Sequence, residues 1–257
     1  MEAAPKTEAA PKTAGGRRTQ SCLVQRFERF VPLEPPEIEL LESLEKEARK
    51  FPKNALVRAQ NAPVKNFYTL KSGWACSFRL LPNGGRQILD LFLPGDVMGL
   101  CDIAYPHSIS GLATLTAAEL CPFPRARLGE LFASSPRLAN LFFMINAREQ
   151  AMLLERVVNL GRRMAIQKLA HFLVEIVVRL RRTDRGLDET FPLPLSQELL
   201  ADALGLSPIH VNRTLRKLRE RGLVEVDSGE IRLLDFDRLQ ALGGFDPIYL
   251  EEAAGWL

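Results

Sequence analysis

The stretch that most constrains this chain is Ser196-Gln-Glu-Leu-Leu-Ala-Asp-Ala-Leu-Gly-Leu-Ser-Pro-Ile-His-Val-Asn-Arg-Thr-Leu-Arg-Lys-Leu-Arg-Glu-Arg221. It reads as two short helices meeting at a glycine. Ser196 is placed to cap the first helix through its hydroxyl oxygen. Leu199, Leu200, Ala203 and Leu204 form an apolar stripe at helical spacing, and the small Ala201 lets a second helix cross closely. Gly205 falls where the chain must turn, at a φ that only glycine adopts without strain. Ser207 caps the next helix, and Pro208 sits at its first position, where a missing N–H costs nothing. Val211, Leu215 and Leu218 face inward. Asn212, Arg213, Arg216, Lys217, Arg219 and Arg221 occupy the other face. The spacing predicts a helix-turn-helix whose basic second helix is shaped for a major groove. Residues 222–234 then read as two short strands about Ser228-Gly229, a hairpin signal. A hairpin directly after a helix-turn-helix makes a winged helix.

With 257 residues, of which 46% are apolar, the chain has enough material for one large or two modest domains. No apolar run is long enough to span a membrane, and the N-terminus lacks the apolar segment of a secretory signal. The expected location is cytoplasmic. The net charge of +3 is mild, so the clustering of base in the second helix carries the nucleic-acid argument. Cys22, Cys76, Cys101 and Cys121 are scattered without a C-x-x-C pair, against a disulfide framework.

The chain divides into four parts. Residues 1–20 hold an exact repeat, Glu-Ala-Ala-Pro-Lys-Thr, and no apolar payload, so a disordered tail is expected. Residues 21–134 open with an amphipathic helix over 36–50. They continue as short apolar runs (67–70, 74–81, 86–93, 111–117, 119–123) separated by Gly, Pro and Asn turns, the texture of a β-sandwich or jelly roll. Residues 135–162 read as one long apolar helix. Leu138, Leu141, Ile145, Met152, Leu153, Val157 and Leu160 recur at threes, fours and sevens, and a partner helix in a homodimer would cover them. The alternative is packing on the chain's own β-domain. Gly161-Arg-Arg163 interrupts the pattern and reads as a hinge about Gly161 between this helix and the next. Residues 163–257 carry a further helix, a linker over 185–194 and the winged helix-turn-helix. The fold class is therefore α+β.

A β-roll, a long dimer helix, a hinge and a winged helix occur in this order in the Crp/Fnr family of bacterial transcription regulators, which the chain resembles. The resemblance rests on Tyr68-Thr-Leu-Lys-Ser-Gly-Trp74, on the segment from Asn83-Gly-Gly-Arg86 to Phe92-Leu-Pro-Gly-Asp-Val-Met-Gly99, and on residues 195–215 of the helix-turn-helix. It covers about residues 25–240. It implies a homodimer that reads a palindromic operator in double-stranded DNA and works with RNA polymerase. Arg213 aligns with the family's base-reading arginine, a residue type that donates twice to guanine O6 and N7. His210 and Asn212 lie at the same edge. Ile209 stands where a base-reading Glu often sits, so it either meets a thymine methyl or faces the core. Ser196, Gln197, Ser207, Arg216 and Lys217 are the expected phosphate contacts.

The departures limit what is sensed. The family's cyclic-nucleotide cassette has a Glu after the glycine corner and a phosphate-binding Arg further on. Here the corner reads Gly99-Leu100-Cys101, and no arginine occurs between Arg86 and Arg125. Without a cation a phosphate pocket loses its charge-assisted bonds. The oxygen-sensing branch holds an iron–sulfur cluster on several N-terminal cysteines plus a later one, whereas only Cys22 lies in that region. No cofactor or metal is expected. Haem or a thiol switch is the alternative, with Cys101, His107 and Cys76 as candidate residues. An effector-independent regulator competes with a ligand sensor. A jelly-roll (cupin-like) enzyme is the distant rival, and the three histidines, His107, His171 and His210, fall in three different segments.

Overall fold

The computed structural model describes residues 21–183, 187–227 and 229–251. The 1–20 tail, Ser228 of the hairpin turn and Trp256 lie outside the described residues. The chain begins with α1 (Cys22–Phe27) and α2 (Pro35–Leu44), followed by β1 (Arg49–Phe51), β2 (Leu56–Arg58), β3 (Asn66–Ser72), β4 (Ala75–Leu80), β5 (Arg86–Phe92), β6 (Val97–Met98), β7 (Gly111–Thr114) and β8 (Ala118–Pro124). The helix expected over 36–50 stops at Leu44. Glu45 turns extended there, and its carboxylate accepts the N–H groups of Cys22 (2.7 Å) and Leu23 (3.4 Å). It thus satisfies orphan donors of α1, while Ser21 Oγ accepts from Val24.

Two four-stranded antiparallel sheets form the β-roll, in the orders β1-β8-β3-β6 and β2-β7-β4-β5. Leu70, Ala75, Phe92, Met98, Leu112 and Leu120 are buried together where the sheets face each other. β1, β2 and β6 are two or three residues long, too short for alternation to register in a sequence.

α3 (Leu128–Ser134) leads into α4 (Pro136–Arg162), a 27-residue helix about 40 Å long. The sequence reading put Leu138, Leu141 and Ile145 on a dimer face. They are instead fully buried within the chain, in a cluster with Leu23, Phe27, Leu41 and Phe123. Phe142 meets Phe27 edge-on with ring centroids 4.9 Å apart. The first half of α4 thus belongs to the β-roll's own core, because α1, α2 and α3 wrap it. The exposed apolar stripe begins elsewhere, at Phe143, and runs through Leu153, Leu154, Val157 and Val158. Met152 and Leu160 are partly buried.

The joint after α4 falls at the end of the segment 161–163 that the sequence reads as a hinge, two residues past Gly161 itself. Gly161 is helical. The break falls at Arg163 (ψ 145°) and Met164. Arg163 is braced by Glu155 (2.6 Å) and by the carbonyl of Gly244 (3.1 Å), and Met164 N–H donates to Gln167 Oε1. α5 (Ala165–Thr183) then runs to the winged unit: β9 (Thr190–Pro192), α6 (Gln197–Leu204), α7 (Pro208–Glu220), β10 (Val224–Asp227), β11 (Glu230–Leu233) and α8 (Phe236–Gly243). The stretch expected to be a plain linker contributes β9, which pairs with β11 and makes the wing three-stranded, β10-β11-β9. α8 packs tightly on α5: a Cβ on Gly243 would lie 2.6 Å from the backbone N of His171, so only glycine permits that approach.

The winged unit is docked on the β-roll. Ile88, Leu91 and Leu93 share one apolar cluster with Leu173, Leu200, Ala203 and Leu204. Arg86 pairs with Asp202 at 2.7 Å, and Gln87 donates to the Asp202 carbonyl. Deeper in the joint, Arg179 of α5 donates to Leu91 O (2.6 Å) and pairs with Asp96 (2.9 Å) and Glu175 (3.5 Å). Arg156 of α4 pairs with Asp90 (2.9 Å) and Glu175 (3.5 Å) and donates to Leu89 O. Arg26 of α1 lies 4.0 Å from Asp96, so three guanidinium groups balance three carboxylates.

Removing one member of such a buried set strands its partners. Arg179→Ala is therefore expected to lower stability by about 3–5 kcal/mol, measured by urea unfolding. Gly161→Ala, whose Cβ would meet nothing within 4 Å, is expected to raise stability by roughly 0.5–1 kcal/mol; destabilisation in the same assay would restore the residue as a flexing point.

Candidate nucleic-acid interface and effector cavity

α6 and α7 are set by two serine caps and one glycine. Ser196 Oγ accepts from Leu199 N, and Ser207 Oγ accepts from His210 N, each at 3.2 Å. Gly205 takes the left-handed conformation (φ 60°, ψ 41°) between them. Val211 and Leu218 are buried, with Leu215 partly so. Thr214, also buried, donates its hydroxyl to His210 O at 2.7 Å, so one inward position is polar and is satisfied within the helix.

The outward face of α7 carries Ile209, His210, Asn212, Arg213, Arg216 and Lys217, all exposed. Ile209 is 73% exposed, which removes the core as its environment. Asn212 donates to Gln197 Oε1 at 3.3 Å, tying the face of α7 to the start of α6. Arg216 pairs with Glu220 one turn on at 3.4 Å. Ser196, Gln197 and Ser207 are exposed at the N-termini of the two helices, where backbone N–H groups point outward and favour anions. This is a cationic, convex helix face on a rigid base.

A second feature lies between the β-roll and α4. A cavity of about 450 Å³ is lined by Arg79, Asp90, Gly99, Cys101, Ile109 and Glu149, among others. Burial, then the charges of Asp90 and Asp96, push the Glu149 carboxyl well above its ordinary range, against Arg26 and Arg179. Burial is the larger cause, and Arg26 and Arg179, which would lower it, are shared with Asp96. Burial would raise Asp96 too, but Arg179 and Arg26 outweigh it and hold it below its ordinary value.

The proposed sensor residues do not share one site. Cys101 lines the cavity, while Cys76 and His107 do not. Cys76 is buried in the apolar cluster where the winged unit docks on the β-roll, and His107 is exposed on the loop that bridges to Pro63. Burial pushes the Cys76 and Cys101 thiols up to about 12. Cys101 reaches solvent, but the carboxylates of Asp102 and Glu149 raise it further. Both are thiols at neutral pH and thus poor nucleophiles. Two cysteines that the sequence does not pair come together: the Sγ atoms of Cys22 and Cys121 lie 2.9 Å apart. Residues 99 apart carry no local signal of such a meeting.

Comparison with known proteins bears on both features. Residues 167–242 match the Crp-like helix-turn-helix domain, and residues 48–135 match the cyclic nucleotide-binding domain. The nitrogen fixation regulation protein FixK of Bradyrhizobium diazoefficiens is 34% identical over 75% of this chain and 80% of its own length. The transcriptional activatory protein AadR of Rhodopseudomonas palustris is 32% identical over 89% of this chain and 94% of its own. The chain belongs to the Crp/Fnr family of transcription regulators. The fold agrees. The structure of FixK2 from Bradyrhizobium japonicum superposes with a TM-score of 0.68 at 23% identity, over 76% of this chain and 96% of that one.

In this Crp/Fnr regulator the corner after Gly99 is filled by an internal ion pair. Past the Gly99 corner, Asp102 is fully buried; Arg58 pairs with one of its oxygens, and the other accepts the N–H of Ile109 at 2.9 Å. The loop past this corner thus holds an internal carboxylate, and the adjoining cavity mixes the acids Asp90 and Glu149 with the bases Arg79 and Arg156.

The raised Glu149 yields a signed pH prediction. Its folded pKa lies above the unfolded value of 4.5, so stability falls as pH rises from there through the folded pKa. Glu149→Gln is expected to leave the melting temperature unchanged near pH 4 and to raise it progressively toward pH 8. Parallel melting curves for the two proteins would contradict the assignment.

Proposed function

We propose that this chain is a homodimeric reader of a palindromic DNA operator, acting in the cytoplasm and not gated by a cyclic nucleotide. The observation that carries it is the exposed face of α7, where Arg213, His210, Asn212 and Ile209 lie on one convex edge above buried Val211 and Leu218. Arg213 donates to guanine, His210 and Asn212 meet neighbouring base edges, and the exposed Ile209 packs on a thymine methyl. Ser196, Gln197, Ser207, Arg216 and Lys217 hold the backbone on either side.

The second copy docks on the exposed stripe of α4. Phe143, Leu154 and Val157 are each 60% exposed or more, a run that water does not favour on so long a helix. Pairing two α4 helices places the recognition helices about 34 Å apart, one turn of DNA. AadR is named as an activatory protein; by that relationship we take RNA polymerase as the next partner. Saturation of Asp102 within the chain favours a reader that needs no cyclic nucleotide.

Selection of random duplexes by the reduced protein with no ligand added is the decisive experiment. It is expected to enrich a palindrome. Failure to enrich any sequence would contradict effector independence. Arg213→Ala should lose preference at one guanine, about 1–3 kcal/mol. Lys217→Ala should weaken binding to all sequences alike and reduce the salt slope by about one. Leu154→Glu is expected to yield monomers in sedimentation with loss of operator binding; a dimer that persists would place the interface elsewhere.

A further inference from the structure

We propose that the pocket mouth formed by Arg26, Arg29, Arg148 and Arg182 is a site for a small tetrahedral oxyanion, either phosphate itself or the terminal phosphoryl group of a larger solute. Arg26 lies in α1 and Arg29 just beyond it, Arg148 lies in α4, and Arg182 lies near the end of α5. All four are half-buried. They line one pocket together with Arg179 and the acids Asp90, Asp96 and Glu149. Asp90, Phe92 and Glu149 also line the cavity that holds Cys101, so the two spaces lie side by side.

The balance of charge in this pocket favours an anion. Asp96 is shared by Arg179 (2.9 Å) and Arg26 (4.0 Å), and Asp90 is shared by Arg156 (2.9 Å) and Arg179 (3.8 Å). The third acid, Glu149, is raised by burial, which disfavours its charged form. Cations gathered in a concave, partly desolvated place focus a positive potential. A guanidinium carries several N–H donors, so Arg148 can hold the Leu250 carbonyl (2.6 Å) and an oxyanion at once. The cations are also positioned by their surroundings. Arg26 and Arg148 both lie over the Phe30 ring, 5.1 and 5.2 Å from its centroid. Arg29 lies against Gly95, where φ is +92° and a Cβ would come within 2.8 Å of the guanidinium. The space measures about 30 Å³, roughly twice what one water needs. That suits one tetrahedral oxyanion, with the rest of any solute outside. Guanidinium forks meet phosphate oxygens in pairs.

An anion held there would touch the ends of α1 and α5 and the middle of α4 together. It would bridge the β-roll to the helix that leads to the winged unit, and would stabilise the docked arrangement by mass action. The site stands apart from the operator reading. Its occupancy is measured on the free protein, and a chain that reads DNA with no ligand added can still bind the anion.

The test is calorimetric titration of the full-length protein with inorganic phosphate, pyrophosphate and ATP in turn, at constant ionic strength and without magnesium. Saturable one-to-one binding with a rise in melting temperature is expected. Binding of phosphate identifies the free ion as a ligand; binding confined to pyrophosphate or ATP identifies a solute with a terminal phosphoryl group, and either result supports the site. Arg148→Ala and Arg182→Ala should each weaken affinity roughly tenfold or more. Arg182→Lys, which keeps the charge and loses the fork, should weaken it less. Arg219→Ala, on the exposed end of α7, should leave it unchanged. Phenylglyoxal mapping of the wild-type chain does not depend on how the variants fold: the ligand should shield Arg29, Arg148 and Arg182 and leave Arg219 reactive. Absence of saturable heat and of any melting shift with all three ligands would overturn the proposal. So would equal shielding of Arg219 and Arg182, the mark of loose anion condensation on basic surface.

Discussion

The contact on which the molecule depends is the buried ion set around Arg179. One guanidinium on α5 reaches the Leu91 carbonyl in β5 and the Asp96 carboxylate at the corner beyond it. Arg156 does the same from α4 toward Asp90 and the Leu89 carbonyl. Charges this deep are costly unless matched and hydrogen-bonded. Here each cation finds carboxylates from a different element. The set holds only while the β-roll, α4 and α5 keep their relative positions, so it specifies one arrangement of the helix-turn-helix on the β-roll. Apolar burial of Leu91, Leu200 and Leu204 supplies the adhesion, and the ions supply the register.

The same balance shapes the cavity beside α4. Burial and the neighbouring charges of Asp90 and Asp96 raise the Glu149 carboxyl well above its ordinary range, against the pull of Arg26 and Arg179. At the far end, Arg58 and Asp102 neutralise each other. The segment that matches the cyclic nucleotide-binding domain brings Asp90 and Arg79 to the lining of this cavity, and α4 adds Glu149 and Arg156.

Legibility in the sequence followed the range of the interaction. The helix-turn-helix was readable residue by residue, because Ser196, Gly205, Ser207 and Pro208 act on their immediate neighbours through caps and φ preferences. The five longer strands of the β-roll were readable from alternation and turns. The two- and three-residue strands were not, since β1, β2 and β9 exist only through their partners. Periodicity also showed that α4 is apolar. It did not show which residues meet the chain's own core and which face solvent, because Leu141 and Leu154 look alike in one dimension.

The sequence by itself thus determined the reading head: a capped, glycine-turned, basic helix pair whose signals are local and whose exposed residues stand where the pattern put them. Tertiary structure alone decided the rest. It buried Leu138, Leu141 and Ile145 in a cluster with Leu23 and Phe27, ended α4 at Arg162, brought Cys22 to Cys121 and buried Glu149 beside Asp90 and Asp96. Each of these outcomes depends on side chains far apart in the chain arriving at one point. That convergence is set by packing of whole elements, and no short stretch of sequence encodes it.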